Sequence, residues 1–418
     1  MTRDSRWWGT IPRIAAALVV ASAISYWIGW MPFPSQGRST VVLVGIDALG
    51  WDFLDKAPTP NLDRLVARGV RAERMIPIFP TKTFPNFYSI ATGLYAEHHG
   101  IVANNMYDPE FDARFSLGDR DAVTDGRWWG GEPIWVTAEK QGLATAAFFW
   151  PGTEAPIQGV RPTYWKPYDG GVPNRERVAQ VLSWLDLPEH ERPSLVTLYF
   201  SDVDAATHDH GLDGPEVQAA IRGVDEMIGL LIAGLEERGL AERVNVIVTS
   251  DHGMADTEPH RMIIVDDYID LAAVTVVDWN PVLAVIPRER MEAAVYEALS
   301  EAMHLSVYRK AEIPDRFHYR DHRRIPPIVA VAAEGWSISS RSFYEERPGR
   351  YGGANHGYDN ELLSMGATFI AAGPAFKQGA VVPPFENVHV YELLCQVLGL
   401  RPAPNDGSLE AVRGVLRE

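Results

Sequence analysis

Three stretches, TVVLVGID (Thr40 to Asp47), SLVTLYFSD (Ser194 to Asp202) and VNVIVTSD (Val244 to Asp251), are apolar runs of strand length that end on an acidic residue. Near-continuous runs of Val, Leu and Ile suit strands covered on both faces, as in a parallel sheet. LATAAFFW (Leu143 to Trp150) has the same texture without the acid. Helical patterns lie between them. TPNLDRLVARG ends at Gly69, and the long amphipathic run from Pro215 stops at Gly239, with Pro and Gly where helices start and stop. The alternation predicts an α/β fold, a mostly parallel sheet sandwiched by helices. From His260 to about Arg350 short strands surround the helical segment RERMEAAVYEALSEAM. That predicts a small α+β insertion (260–350) within a body spanning 38–418. GATFIAAGPAF and VHVYELLCQVLGL then return to the core.

Open α/β sheets gather ligands beyond the carboxyl ends of their strands. Asp47, Asp204 and Asp251 stand at that edge. DAATH puts Asp204 and His208 four apart, close enough to meet on one ion. SDHG sets His252 beside Asp251, and NHGYDN adds His356. Each signal is common by itself: a lone acid is most often a helix cap, and a lone loop histidine faces solvent. Together they supply six oxygen and imidazole donors and no thiolate. That set suits zinc, and manganese or iron also tolerate it. Six donors are too many for one tetrahedral ion and fit two, each with an open position. Paired cations roughly 4 Å apart can clamp the entering and leaving oxygens of an in-line phosphoryl transfer.

PTKTFPNFYSIATG (Pro80 to Gly93) places a hydroxyl, Thr83, directly before Phe84-Pro85 at an expected helix start. Threonine there is either a cap or a nucleophile activated by a cation. Both readings stand at this point. The helix start would add backbone N–H groups and a positive dipole end for phosphate oxygens.

Composition sets further bounds. The chain has 418 residues, 46% of them apolar, and a net charge of −17. Nucleic-acid binding is therefore excluded as the main role, because a phosphate backbone needs a basic face. Small anionic substrates remain allowed, since a cation reverses the local field. The single cysteine, Cys395, permits no internal disulfide and reads as core. Residues 1–37 are read as a signal or anchor segment: Arg3, Arg6 and Arg13 precede an uncharged stretch, 14–33, with Tyr26, Trp27 and Trp30 as interfacial anchors towards its far end. About 20 apolar residues can span a bilayer, which favours an uncleaved anchor in a bacterial inner membrane. The body is then expected in the periplasm.

The motifs GIDALGWDFL, PTKTFPNFYSIATGLYAEHHGIVANNMYDP, FFWPGTEA, TSDHGM, FHYRDHRR and NHGYDN occur in this order from about Val41 to the carboxyl end. In them the chain resembles the nucleotide pyrophosphatase/phosphodiesterase family of the alkaline phosphatase superfamily, in its bacterial type without the disulfide-linked extra domains of animal relatives. The resemblance implies an alkaline-phosphatase-like fold and a two-zinc hydrolase of nucleotide phosphodiester or pyrophosphate bonds, ATP to AMP and pyrophosphate for example. It implies Thr83 as nucleophile. It gives one zinc to Asp47, Thr83, Asp251 and His252, and the other to Asp204, His208 and His356. Asn104, rather than Asn105, would help hold a non-bridging phosphate oxygen, and Phe84 and Tyr168 would sandwich a nucleobase. Phe87 stands where the family often has His, and Val203 where it often has Pro. The spare His98 and His99 read as structural, and His210 as an edge residue of the pocket. Alternative readings are a phosphodiesterase for lipid or choline diesters, a phosphomonoesterase, and a non-catalytic binding protein.

Overall fold

The central sheet has eight strands: β1 Thr40–Ile46, β2 Val70–Ala72, β3 Thr145–Phe148, β4 Tyr164–Trp165, β5 Leu195–Phe200, β6 Val244–Thr249, β7 Phe369–Ala372 and β8 Ala380–Val382. Their order across the sheet is β8-β2-β7-β6-β1-β5-β3-β4. β1 lies in the middle and pairs in parallel with β5 and β6. Only β7 runs against its neighbours. β5 and β6 are buried at every residue, and β1 at all but its first. Since successive side chains point to opposite faces, both faces of the middle strands are covered. The helices that matter below are α1 Pro60–Arg68, α2 Thr83–Thr92, α3 Asn174–Leu185, α4 Asp202–His210, α5 Pro215–Glu237 and α6 His389–Leu398. This computed structural model describes residues 39–417. The segment read as a signal or anchor, residues 1–37, lies outside the described residues. Among the described residues no helix is long and apolar enough to cross a membrane.

The sequence patterns overran the strands at their ends. The run expected as far as Asp202 stops at Phe200, because Asp202 opens α4. Asp204 and His208 therefore sit one helical turn apart on the same face. Between β6 and β7, a four-stranded antiparallel sheet is built from Val274–Asp278, Val282–Pro287, Ile328–Ala332 and Leu305–Arg309, in that spatial order. The helix Glu292–Ser300 buries Val295 and Leu299 in the apolar cluster of this sheet. The pattern reading missed the first of these strands. Phe87, the departure noted above, packs edge-on to Trp150 at 4.8 Å and Tyr199 at 5.5 Å. Beneath it Gly45 leaves no space for a Cβ, which would lie 2.7 Å from the Phe87 ring. An apolar ring at 87 thus seats α2 on β1.

The motif FHYRDHRR straps the far end of the insertion to the main body. Phe317 stacks on Phe79 at 4.2 Å, and the Tyr319 hydroxyl donates to the Val102 carbonyl at 2.9 Å. Arg324, 4% exposed, donates from Nε to Asp108 at 2.6 Å. It also donates from Nη1 to the carbonyls of Gly100 and Trp128, each at 2.7 Å. Burial raises the Asp108 carboxyl, but hydrogen bonds from Arg323 and Arg324 outweigh that and hold it below its usual 3.8. A depressed carboxylate stabilises the fold above its ordinary pKa and loses that contribution as pH falls. Arg324→Ala is expected to cost about 1.5–3 kcal/mol, because it removes a charged hydrogen bond from the buried Asp108 carboxylate, which Arg323 still contacts. Denaturant unfolding at pH 7 and again near pH 3 measures this, and the cost should shrink at the lower pH.

Candidate active site

Asp47 follows β1, Asp251 and His252 follow β6, and Asp204 and His208 lie on α4 just past β5. These three adjacent parallel strands bring their carboxyl ends to one edge. His356 arrives from the strand Gly353–Asn355, which pairs with Ala255–Thr257 just beyond Asp251. The donors form two groups, Asp47/Asp251/His252 and Asp204/His208/His356, with ligand atoms in each lying within 4.8 Å of one another. The groups touch, since the His252 and His356 rings stack at 3.6 Å with 12° between planes.

The imidazoles are oriented from behind. The Nδ1 atoms of His208, His252 and His356 face the carbonyls of Ala354 (2.9 Å), Gly253 (3.0 Å) and Thr81 (2.8 Å). A carbonyl can only accept, so each Nδ1 carries the proton and each Nε2 presents a lone pair. Those lone pairs face carboxylates. His252 Nε2 lies 2.9 Å from Asp251 Oδ2 and 3.6 Å from Asp47 Oδ1, and His208 Nε2 lies 3.4 Å from Asp204 Oδ1. Asp47 Oδ1, Asp204 Oδ1 and Asp251 Oδ2 are buried without a hydrogen-bond partner. Lone pair facing lone pair around these buried oxygens is repulsive and calls for a cation between them. The donors present therefore fit bound divalent metal.

The acid–base shifts have the same origin. Burial, then the charges of Asp251 and Asp204, push the Asp47 carboxyl well up. Burial likewise raises Asp251. Burial pushes His356 well down, helped by His252 and His208, and it lowers His252. For His208 burial acts downward, but the Asp204 carboxylate wins and its pKa rises.

Thr83 is the first residue of α2. The helix cap is Lys82, with no side-chain cap bond. The Thr83 hydroxyl instead faces His252 Nε2 at 3.4 Å, so the helix-cap reading does not hold. The turn before it is fixed by Asn86, fully buried, whose amide donates to the carbonyls of Pro80 and Lys82 at 2.9 Å each and accepts from Ile78 N at 2.7 Å. The helix start offers fewer free donors than its sequence suggested. Pro85 has no N–H, Asn86 N donates to Lys82 O, and Phe84 N donates to Asn104 Oδ1 at 3.0 Å. The Thr83 N–H is the donor that remains, beside the Asn104 side-chain N–H groups. Asn105 lies further out and reaches Asp278 at 3.4 Å.

A cleft of about 240 Å³ opens beside Thr83, lined by Asp47, Asp204, Phe84, Tyr168, Arg120 and Glu154, among others. Phe84 packs near Phe115 and Trp129, both at 6.0 Å, and Tyr168 leans on Phe149 at 4.9 Å. The spare histidines lie elsewhere. His98 pairs with Asp406 at 2.7 Å. His99 bonds Ser89 at 2.9 Å, and burial drives its pKa down to about 3. His210 ends α4, 4.0 Å from Glu216, and is not among the residues lining the cleft.

The sequence reading missed Tyr199, whose hydroxyl donates to Asp47 Oδ2 at 2.5 Å. A tyrosine inside a buried strand reads as core, and only its one-strand offset from Asp47 could have marked it. Outer partners of this kind tune cation affinity about 10–100-fold. Tyr199→Phe should weaken the affinity for zinc by that order in a chelator competition, and unchanged competition would show the bond to be idle.

An alkaline-phosphatase-like α/β sheet carrying two such ligand groups beside a helix-terminal hydroxyl defines a metal-dependent phosphoryl hydrolase. A family profile described as Type I phosphodiesterase / nucleotide pyrophosphatase matches residues 41–359. The chain belongs to that family and is a hydrolase of its kind. It is 39% identical over 385 residues to human ectonucleotide pyrophosphatase/phosphodiesterase family member 5, covering 92% of this chain and 79% of that one. It is 40% identical over 371 residues to mouse family member 1, covering 86% of this chain and 40% of that one. The solved structure of human member 5 superposes with a TM-score of 0.87 at 38% identity, covering 91% of this chain and all of that one. A mouse member 5 structure, described as an inactive threonine-to-alanine variant in complex with AMP, superposes with a TM-score of 0.86 at 38% identity, again covering 91% and 100%.

Proposed function

We propose that this chain is a two-zinc nucleotide phosphodiesterase that works through a covalent threonyl-nucleotide. The observation that carries the reading is the Thr83 hydroxyl, set 3.4 Å from His252 Nε2 between the two ligand groups and the aromatic cleft. In this reading Asp47, Thr83, Asp251 and His252 hold one cation, and Asp204, His208 and His356 hold the other. Such ions supply Lewis acidity, which lowers the pKa of the threonine hydroxyl and offsets charge on phosphate oxygens. The AMP complex of the mouse relative supports a nucleotide ligand, and the inactive threonine variant in the same structure supports a threonine nucleophile.

The chain's own groups do the remaining work. Phe84 and Tyr168 flank the cleft and hold the base between two aromatic faces. Asn104 spends its carbonyl oxygen on Phe84 N, so its N–H donors are free for a non-bridging phosphate oxygen. The positive end of α2 favours the same charge. Thr83 Oγ1 loses its proton to solvent as its bond to phosphorus forms and the bond to the leaving oxygen breaks, and pyrophosphate departs from ATP. Water then attacks the same phosphorus, returns a proton to Thr83, and releases the nucleoside monophosphate. The arginine-led leader, residues 1–37, is the basis for placing this activity outside the cytoplasm.

Zinc-loaded protein should release nucleoside monophosphate from ATP and from nitrophenyl-thymidine-monophosphate. Faster turnover of glycerophosphocholine would move the assignment to choline diesters. Thr83→Ala should lower kcat by roughly a thousandfold or more while metal analysis finds the bound zinc largely retained. Near-normal turnover in that variant would remove Thr83 from the chemistry.

A further inference from the structure

Tyr168 is 44% exposed and sits on an irregular segment between β4 and α3. A ring on such a loop makes a poor wall for a binding cleft unless something holds the loop. The structure assigns that task to Arg177, as the positioning residue of the base wall. This inference rests on the nucleotide reading above and deepens it.

Arg177 lies on the first turns of α3 and is 3% exposed. Among the described residues no carboxylate comes within ion-pair distance of it. Its guanidinium is spent on backbone carbonyls instead. Nε donates to Val172 O at 3.0 Å, Nη2 to Gly170 O at 3.3 Å, and Nη1 to Tyr199 O at 2.9 Å. Two of these carbonyls belong to the turn that follows Tyr168, and the third belongs to β5. The fork therefore ties the turn to the sheet. The same guanidinium lies 5.1 Å from the centre of the Phe149 ring, and that ring is the one Tyr168 leans on. From the other side the Tyr168 N–H donates to Glu154 Oε1 at 2.9 Å. The Tyr168 platform is thus pinned at its backbone, behind its ring, and along the turn.

Burying an unpaired cation is expensive. An apolar residue would fill the space at less cost, so the placement needs a purpose. Val172 O, Gly170 O and Tyr199 O have directions that only a planar, multi-donor fork matches at once. Lysine keeps the charge but offers one point of attachment. Arg177 also touches the strand that carries Tyr199, so the wall is set in register with the carboxylate that Tyr199 holds.

The test compares two diesters on zinc-loaded Arg177→Lys, nitrophenyl-thymidine-monophosphate and methyl 4-nitrophenyl phosphate, which has no ring beyond its leaving group. The expected result is a loss in kcat/KM that is about tenfold greater for the nucleoside diester, carried mainly by KM. In a Tyr168→Ala background the Arg177→Lys change should add little to the loss on the nucleoside substrate, because residues acting through one another are not additive. Equal losses on both diesters, or full additivity with Tyr168→Ala, would overturn the inference and leave Arg177 a stability residue. A wild-type enzyme with no KM advantage for the nucleoside diester would sink the base-wall reading itself, and this inference with it. An advantage retained by Arg177→Lys sinks this inference only.

Discussion

Three carboxylates and three imidazole lone pairs share one largely buried edge of the sheet, and among the described residues no cationic side chain pairs with these carboxylates. Among the described residues Asp47 Oδ1, Asp204 Oδ1 and Asp251 Oδ2 have no hydrogen-bond partner, and each imidazole already donates its Nδ1–H to a carbonyl. With these oxygens buried, that arrangement raises the free energy of the folded chain. The rest of the structure tolerates this because the core is large and because the groups are held from behind. Backbone carbonyls aim the histidines, Tyr199 braces Asp47, and the Ala48 N–H donates to Asp251 Oδ1 at 3.1 Å. The repulsion is the cost of a site ready for cations.

The same edge sets what the chemistry can reach. β1, β5 and β6 are neighbours and parallel, so three strand ends supply both ligand groups without long loops. α2 presents Thr83 to that edge because Phe87 is wedged over Gly45 and Asn86 fixes the preceding turn. One face of the hydroxyl then meets the ligands, and the other opens on the aromatic cleft. Binding and reaction share a rigid frame, which is what proximity effects require.

Much of this was legible in the sequence, and the reasons are physical. An apolar run that ends on Asp marks both a strand and its functional end, so β1 and β6 could be read together with Asp47 and Asp251, and β5 with Asp204 two residues past the run's terminal Asp202. Asp204 and His208 could be paired because four residues make about one helical turn. The structure brings together the six carboxylate and imidazole residues read as ligands and places Thr83 beside His252. Residues that act through others left no such trace. Tyr199 looks like core in LVTLYF, and Arg177 looks like a solvated helix residue in NRERV. Nothing local announces that its partners are carbonyls. The strand Val274–Asp278 was passed over because VTVVD shows no clean alternation, with Val274, Val277 and Asp278 buried and Thr275 exposed. The free N–H groups expected at the start of α2 were overcounted, since Asn104 and Lys82 take two of them and Pro85 lacks one.

The central claim is that the convergence of acidic oxygens and imidazole lone pairs exists to hold cations. Metal analysis of the purified chain after equilibration with zinc and removal of free ion tests it most directly. The account predicts two zinc ions per wild-type chain, falling to one when Asp204 and His208 are both replaced by alanine. A wild-type chain that retains none, while folded by circular dichroism, would contradict it.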